Sequence, residues 1–275
     1  MSDVPVRPPV VRYEVTGRVG VITLDRPERN NAWTGRVDAE YRRWLAEADA
    51  DPAVRVILIT GAGERFCVGG DSGALADHAE RGGYDTGLRG DEATPGHGFD
   101  ERFDQPFACH FGLSKPVIAV VNGAAAGIGM ALACFCDVIF ASEGAKFTVA
   151  HGKLGLPAEY GLSWMLPRMV GLPRAMDILM TSRVVTAEEG ERIGMVLRVV
   201  PVDRLLEEAL AYAEALAASV ASQSLRVTRR QIYLDQHRDV GTSVAESKRL
   251  LDELMGTAEY REGVAALIEK RPPNF

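Results

Sequence analysis

Two glycine-bearing segments carry the chemistry that this backbone can offer. One is Gly61-Ala-Gly-Glu-Arg-Phe-Cys-Val-Gly-Gly-Asp71, where an apolar run ends in the adjacent pair Gly69 and Gly70. The other is Lys115-Pro-Val-Ile-Ala-Val-Val-Asn-Gly-Ala-Ala-Ala-Gly-Ile-Gly-Met130, a strand that meets a helix start lined with small residues. Glycine lets a backbone approach a ligand closely and turn a peptide N–H into a pocket. The amides at a helix start have no intrahelical partner and favour negative charge. Side-chain chemistry is on offer at His151 and at Glu159, the latter inside Gly155-Leu-Pro-Ala-Glu-Tyr-Gly161. A carboxyl group among Leu156, Leu162 and Trp164 is expected to titrate above its ordinary range, because an apolar setting disfavours its charged form. Histidine titrates near neutral pH and can take or give a proton.

The elements that hold these groups follow from pattern. Val10–Val15 and Val19–Leu24 are β-rich runs around Thr16-Gly17-Arg18 and read as a hairpin. Asn31 to Ala50 places Trp33, Val37, Tyr41, Trp44 and Leu45 at helical spacing. Val54–Thr60, Pro116–Val121, Val138–Ala141 and Val196–Val200 read as short buried strands, and about Ile128 to Cys136 as an Ala/Gly-rich helix. Residues 77–100 are rich in Gly, Asp and His without periodicity, which predicts a mobile loop or lid. Thr186 with Glu189 is a capping-box pattern. From Asp203 onward the chain reads as helix: Arg204–Ser219, Leu225–His237, Val244–Met255 and Ala258–Lys270. The set Leu205, Leu206, Leu210 and Leu216 is expected to be core or subunit interface. Strands mixed with helices over about 200 residues, then helices alone, define an α/β class.

Composition removes several function classes. A net charge of −7 argues against non-specific nucleic-acid binding, which needs a basic face. No apolar run approaches the roughly 20 residues that span a bilayer, so no membrane partner is expected. Met1 to Pro9 has three prolines and no apolar stretch, unlike a signal peptide. Cys134 and Cys136 are one residue apart, outside zinc-site spacing. The four cysteines are expected to be buried, reduced thiols in a cytoplasmic protein, with no metal. Gly123, Gly127 and Gly129 also match a dinucleotide-binding glycine pattern, as in short-chain dehydrogenases. That pattern lies mid-chain here, and none of the seven tyrosines has a lysine four residues on.

Taken together, the motifs resemble the crotonase superfamily, the enoyl-CoA hydratases, enoyl-CoA isomerases and their relatives. The likeness runs from Arg26-Pro-Glu-Arg-Asn-Asn-Ala32 through Phe66-Cys-Val-Gly-Gly-Asp71, Asn122-Gly…Gly127-Ile-Gly129 and Cys136-Asp137 to Glu269-Lys-Arg-Pro-Pro-Asn-Phe275. It implies a crotonase-like spiral of ββα turns over residues 1–200 and a helical trimerisation region over 201–275. It also implies an acyl-CoA substrate, no cofactor beyond the coenzyme A of that substrate, and a homotrimer or dimer of trimers. The backbone N–H groups of Gly70 and Ile128 would form an oxyanion hole for the thioester enolate. Arg26, Arg29, Ala32, Asp71, Leu75, Gly127 and Lys270 would contact the ligand. Glu28 and Gly73 stand where some relatives carry lysine, so the coenzyme A pattern is only partly met.

The acid and base groups depart from the family. Enoyl-CoA hydratases carry two glutamates around one water, and the matching positions here are Ala131 and His151. Dienoyl-CoA isomerases resemble this chain in an acidic residue eight positions after His151, which is Glu159. Glu159 is therefore expected as the principal acid/base, with His151 assisting. Hydration of a 2-enoyl-CoA is named first on the whole-chain resemblance. A double-bond shift needs only one carboxyl group and stays open. So do hydrolysis, C–C bond cleavage and an acyl-CoA-binding relative without turnover.

Overall fold

A computed structural model describes residues 8–81, 88 and 90–275. In chain order the elements are β1 (Val11–Thr16), β2 (Val19–Leu24), α1 (Gly35–Ala50), β3 (Val56–Gly61), α2 (Ser72–Arg81), β4 (Val117–Val121), β5 (Ala124–Ala126), α3 (Ile128–Cys134), β6 (Val138–Ser142) and β7 (Lys146–Thr148). Then come α4 (Leu162–Val170), α5 (Leu172–Thr181), β8 (Val185–Thr186), α6 (Ala187–Arg192) and β9 (Arg198–Val200). Four helices close the chain: α7 (Leu205–Ser219), α8 (Ser222–Asp235), α9 (Val240–Met255) and α10 (Ala258–Glu269).

The main sheet has the order β1-β2-β3-β4-β6-β9. Only the β1–β2 hairpin is antiparallel; the other neighbours are parallel. A parallel sheet is covered on both faces, so its strands read as continuous apolar runs. β3 illustrates this. Val56 and Leu58 join a cluster completed by Leu205, Ala209, Ala213 and Ala217 of α7. Ile57 and Ile59 face the larger core under α1 and α3. The buried stripe of α7 is thus Leu205 followed by alanines every four residues, which lets the helix lie close on the sheet. Of the leucines expected to be core or subunit interface, Leu205 lies in this core, Leu210 and Leu216 pack against it partly buried, and Leu206 is exposed.

A second sheet, β5-β7-β8, was not legible as strands because each is only two or three residues long. Several boundaries moved: α8 and α9 begin at Ser222 and Val240 rather than at Leu225 and Val244. The helix expected from Asn31 begins at Gly35, since Asn30 and Asn31 adopt left-handed backbone angles and the Thr34 side chain accepts from the Val37 N–H as the cap. The aperiodic stretch from 77 is helical as far as Arg81. Residues 82–87 and 89 of the expected lid lie outside the described residues, and 94–97 form a turn closed by the His97 N–H on the Thr94 carbonyl.

α8 is clamped to the core. The Arg229 guanidinium, 6% exposed, donates to both Asp137 carboxylate oxygens at 2.7 Å and to the Leu113 carbonyl at 3.0 Å. The Tyr233 hydroxyl donates to the same carboxylate at 2.6 Å. Among the described residues no helix is long and apolar enough to cross a membrane.

Candidate active site

The two glycine turns are brought together by short stretches of backbone pairing. Phe66 and Cys67 donate to the Ala124 carbonyl at 3.2 and 3.1 Å, and the Ala126 N–H donates to the Cys67 carbonyl at 2.9 Å. The chain after Cys67 therefore runs alongside β5 and into the same region as the α3 start. Gly127 has φ 50 and ψ −114, a combination that only glycine adopts readily. A side chain there would begin 3.8 Å from the Gly69 Cα. A β-carbon on Gly129 would fall 2.1 Å from the Cys67 carbonyl oxygen, so glycine is required for α3 to approach the first turn.

Trp33 orients the Gly70 peptide. Its N–H donates to the Gly69 carbonyl at 2.7 Å, and its carbonyl accepts from the Asp71 N–H at 3.0 Å. In such a parallel bridge the central residue's own N–H points to the opposite side. Among the described residues the Gly70 and Ile128 amides donate to no backbone carbonyl outside helices and strands, and Ile128 is the first residue of α3. The Cys67 thiol beside these turns is pushed up to about 12 by burial, so it offers no thiolate nucleophile at neutral pH.

The ligand-binding candidates divide sharply. Arg26 donates to the Ala32 carbonyl at 2.7 Å and reaches Asp71 at 3.3 Å; Arg29 reaches the other Asp71 oxygen at 3.2 Å. Burial works to raise the Asp71 carboxyl. The Gly73 N–H and the two guanidiniums outweigh it and hold the group below its usual range. Asp71 thus ties the loop before α1 to the Gly69–Gly70 turn, with its oxygens already taken. Ala32 is buried in that loop. Leu75 falls in α2, and its side chain lies outside the described residues. Lys270 is an exposed left-handed cap on α10, and no described hydrogen bond or ion pair joins it to the Arg26–Asp71 cluster. Asn31, which sequence reasoning passed over, is nearly inaccessible and donates to the Ala62 and Arg65 carbonyls, bracing the first turn. The Asn30-Asn31 pair was its signal, since asparagine tolerates the left-handed region.

His151 and Glu159 are brought near one another. His151 is buried, with Nε2 3.0 Å from the Leu179 carbonyl. A carbonyl only accepts, so Nε2 carries a proton and donates it there. Glu159 is half-buried, and burial raises its carboxyl while the neighbouring His151 opposes the rise. Leu162 is buried beside it, but Leu156 is exposed and forms no wall. Ala131 lies within α3, 1% exposed. Beyond Glu159, Tyr160 packs on Phe107 with ring centroids 5.3 Å apart, and Phe107 packs on Trp33 at 5.6 Å. Tyr160 also borders a cavity of about 390 Å³ walled by Phe103, Phe111, Phe135, Trp164 and His237. Those rings come from distant parts of the chain, which is why no local motif announced them.

The sequence model for the enoyl-CoA hydratase/isomerase family matches residues 14–275. The chain belongs to the enoyl-CoA hydratase/isomerase family. It is 35% identical over 266 residues to a probable enoyl-CoA hydratase of Rhodobacter capsulatus, covering 96% of this chain and 97% of that one. It is also 35% identical over 263 residues to the 1,2-epoxyphenylacetyl-CoA isomerase of Escherichia coli, covering 94% of each. Among solved structures it is similar to an enoyl-CoA hydratase/isomerase family protein from Hyphomonas neptunium, with a TM-score of 0.83, 32% identity and 97% of both chains covered. These matches bear out the crotonase-like fold expected from the motifs.

Proposed function

We propose that the chain hydrates a 2-enoyl-CoA through a thioester enolate. The Gly70 and Ile128 N–H groups hold the thioester oxygen, and Glu159 acts as principal acid/base with His151 assisting. The observation that carries this reading is the meeting of the two glycine turns, Gly69 against Gly127, beside two amides with no described carbonyl partner. As water adds at Cβ, charge gathers on the thioester oxygen, and two fixed donors stabilise it without reorganising. One such donor is typically worth about 10²–10³ in rate. A raised carboxyl is suited to move a proton near neutral pH. Glu159 takes the proton of the attacking water as the hydroxyl adds at Cβ, and the protonated carboxyl, with His151 assisting, returns that proton to Cα as the enolate collapses, so that one water is added overall.

A second reading, a double-bond shift, is favoured by Ala131 and by the commitment of His151 Nε2 to Leu179. Glu159 alone would then remove a proton at one carbon and return it at another. Incubation with 2-enoyl- and 3-enoyl-CoA thioesters and mass analysis of products separates the two. Gain of one water supports hydration. An unchanged mass with a moved double bond supports isomerisation and overturns the first reading. Release of free coenzyme A overturns both.

Assembly into a homotrimer or a dimer of trimers belongs to the same proposal, as do a cytoplasmic setting and the absence of a cofactor beyond coenzyme A. The exposed Leu251, Leu267 and Ile268 on α9 and α10 support a subunit contact there. Light scattering of the full chain tests it, and a monomer at micromolar concentration would overturn it.

A further inference from the structure

The cavity beside Tyr160 is walled by rings that hold one another in place. Four of them close a circuit: Phe103 to Phe111 at 5.6 Å, Phe111 to Trp164 at 6.2 Å, Trp164 to His237 at 5.6 Å, and His237 back to Phe103 at 6.4 Å. Phe111 is further stacked on Phe135 at 5.3 Å and on Tyr233 at 3.8 Å. Tyr233 is bonded to Asp137, so the clamp that seats α8 also fixes this wall. The charges at the rim are spent elsewhere. Arg102 donates to Asp100 at 2.8 and 2.6 Å, and the Arg168 guanidinium lies over the Trp164 ring at 3.9 Å. Burial, and then Arg102 and Arg168, push the exposed His237 imidazole below its usual range. The result is a largely aromatic chamber, with Arg102 and Gln105 also on its wall, that starts at Tyr160, one residue from Glu159.

We propose that this chamber receives the acyl end of the thioester and selects a ring-bearing acyl group over a straight alkyl chain. The inference rests on the acyl-CoA reading of the neighbouring site. A flat ring offers an edge or a face to each wall, which adds electrostatic attraction to the burial that any apolar group gains. It also enters with few torsions to freeze. An alkyl chain gains burial alone and loses freedom at each bond that fixed walls immobilise.

Saturated thioesters test this without turnover. The full-length protein is titrated calorimetrically with 5-phenylpentanoyl-CoA and with octanoyl-CoA. The phenyl compound is expected to bind about tenfold tighter, the worth of one or two ring contacts. Trp164→Leu keeps the wall apolar but removes its ring, and the preference should fall to about twofold or less. His237→Leu, at the end of the chamber, serves as a second variant, and circular dichroism verifies the fold of each. Equal or tighter binding of octanoyl-CoA overturns the inference, as does an undiminished preference in a folded variant. The outcomes separate the two readings. If neither thioester binds, the acyl-CoA reading falls and takes this inference with it. If both bind alike, only this inference falls. If the phenyl compound is preferred but no enoyl analogue reacts, the chamber stands and the catalytic proposal falls.

Discussion

Asp71 and Glu159 are the two carboxyl groups among the candidate site residues, each near a cationic or titratable partner, and their protons are driven in opposite directions. Asp71 follows the Gly69–Gly70 turn and meets two guanidiniums and a backbone N–H. These outweigh burial and keep it ionised. Glu159 has burial working against its charge and only His151 opposing. A buried carboxyl whose lone pairs are all claimed holds backbone segments together and has nothing left to exchange. One that is desolvated with little compensation is poised to take or give a proton. The first environment suits Asp71 to bracing, and the second supports the proposal that Glu159 transfers the proton.

The comparison breaks most visibly at Glu159. Glu159→Gln keeps the shape and removes the proton-carrying group. Turnover of enoyl-CoA is expected to fall by about 10²–10⁴, the usual contribution of a general acid or base. Binding of the saturated thioester should change little, and calorimetry beside steady-state kinetics reads both. Unchanged turnover would return Glu159 to the surface and sink the contrast. The same environment sets a pH dependence. The active, ionised form appears only as pH rises through a folded value above the ordinary glutamate value of about 4.3. The acid limb of kcat/KM should therefore lie above that point and vanish in the Gln variant.

The next effect concerns the two glycine turns. Gly129→Ala places a β-carbon 2.1 Å from the Cys67 carbonyl oxygen, and backbone must move to admit it. Overpacking of this kind typically costs about 1–3 kcal/mol, read as a lowered urea midpoint. Because the strain separates α3 from the first turn, kcat should fall as well. A variant of wild-type stability and rate would show that the close approach is not needed.

Much of this arrangement was legible before any coordinates. Glycine at 69, 70, 127 and 129 is a backbone requirement, and such requirements are written directly in residue type. The parallel strands were legible too, because burial on both faces leaves an apolar run with no alternation, as in Val56–Ile59. What stayed hidden depends on distance in sequence. β5, β7 and β8 are too short to show a period. The aromatic chamber draws Phe103, Trp164 and His237 from segments about 60 to 130 residues apart, each unremarkable in its own neighbourhood. The bracing role of Asp71 was hidden for the same reason: nothing local to Gly70-Asp71 states that Arg26 and Arg29 arrive there.

The smallest effect sharpens the bracing side of the comparison. Asp71→Asn keeps the volume of a side chain that is only 7% exposed but removes the charge facing Arg26 and Arg29. Arg29 is half exposed, so its share is screened by solvent. Arg26 is the more enclosed partner, at 17% side-chain exposure. A loss of about 1–2 kcal/mol is expected in urea unfolding at pH 7, with kcat/KM for an enoyl-CoA falling less than in Glu159→Gln. The sign of its pH dependence follows from the direction of the shift. A carboxyl held below its unfolded value contributes stability that is fully present above that value, about 3.9 for aspartate, and loses it as pH falls through the folded value. The wild type should therefore lose more stability than Asp71→Asn between pH 6 and the acid range, and the two curves should converge as the carboxyl protonates. If the gap between them stays constant down to the lowest pH at which the protein remains folded, the charge on Asp71 is not what ties the Arg26 loop to the glycine turn.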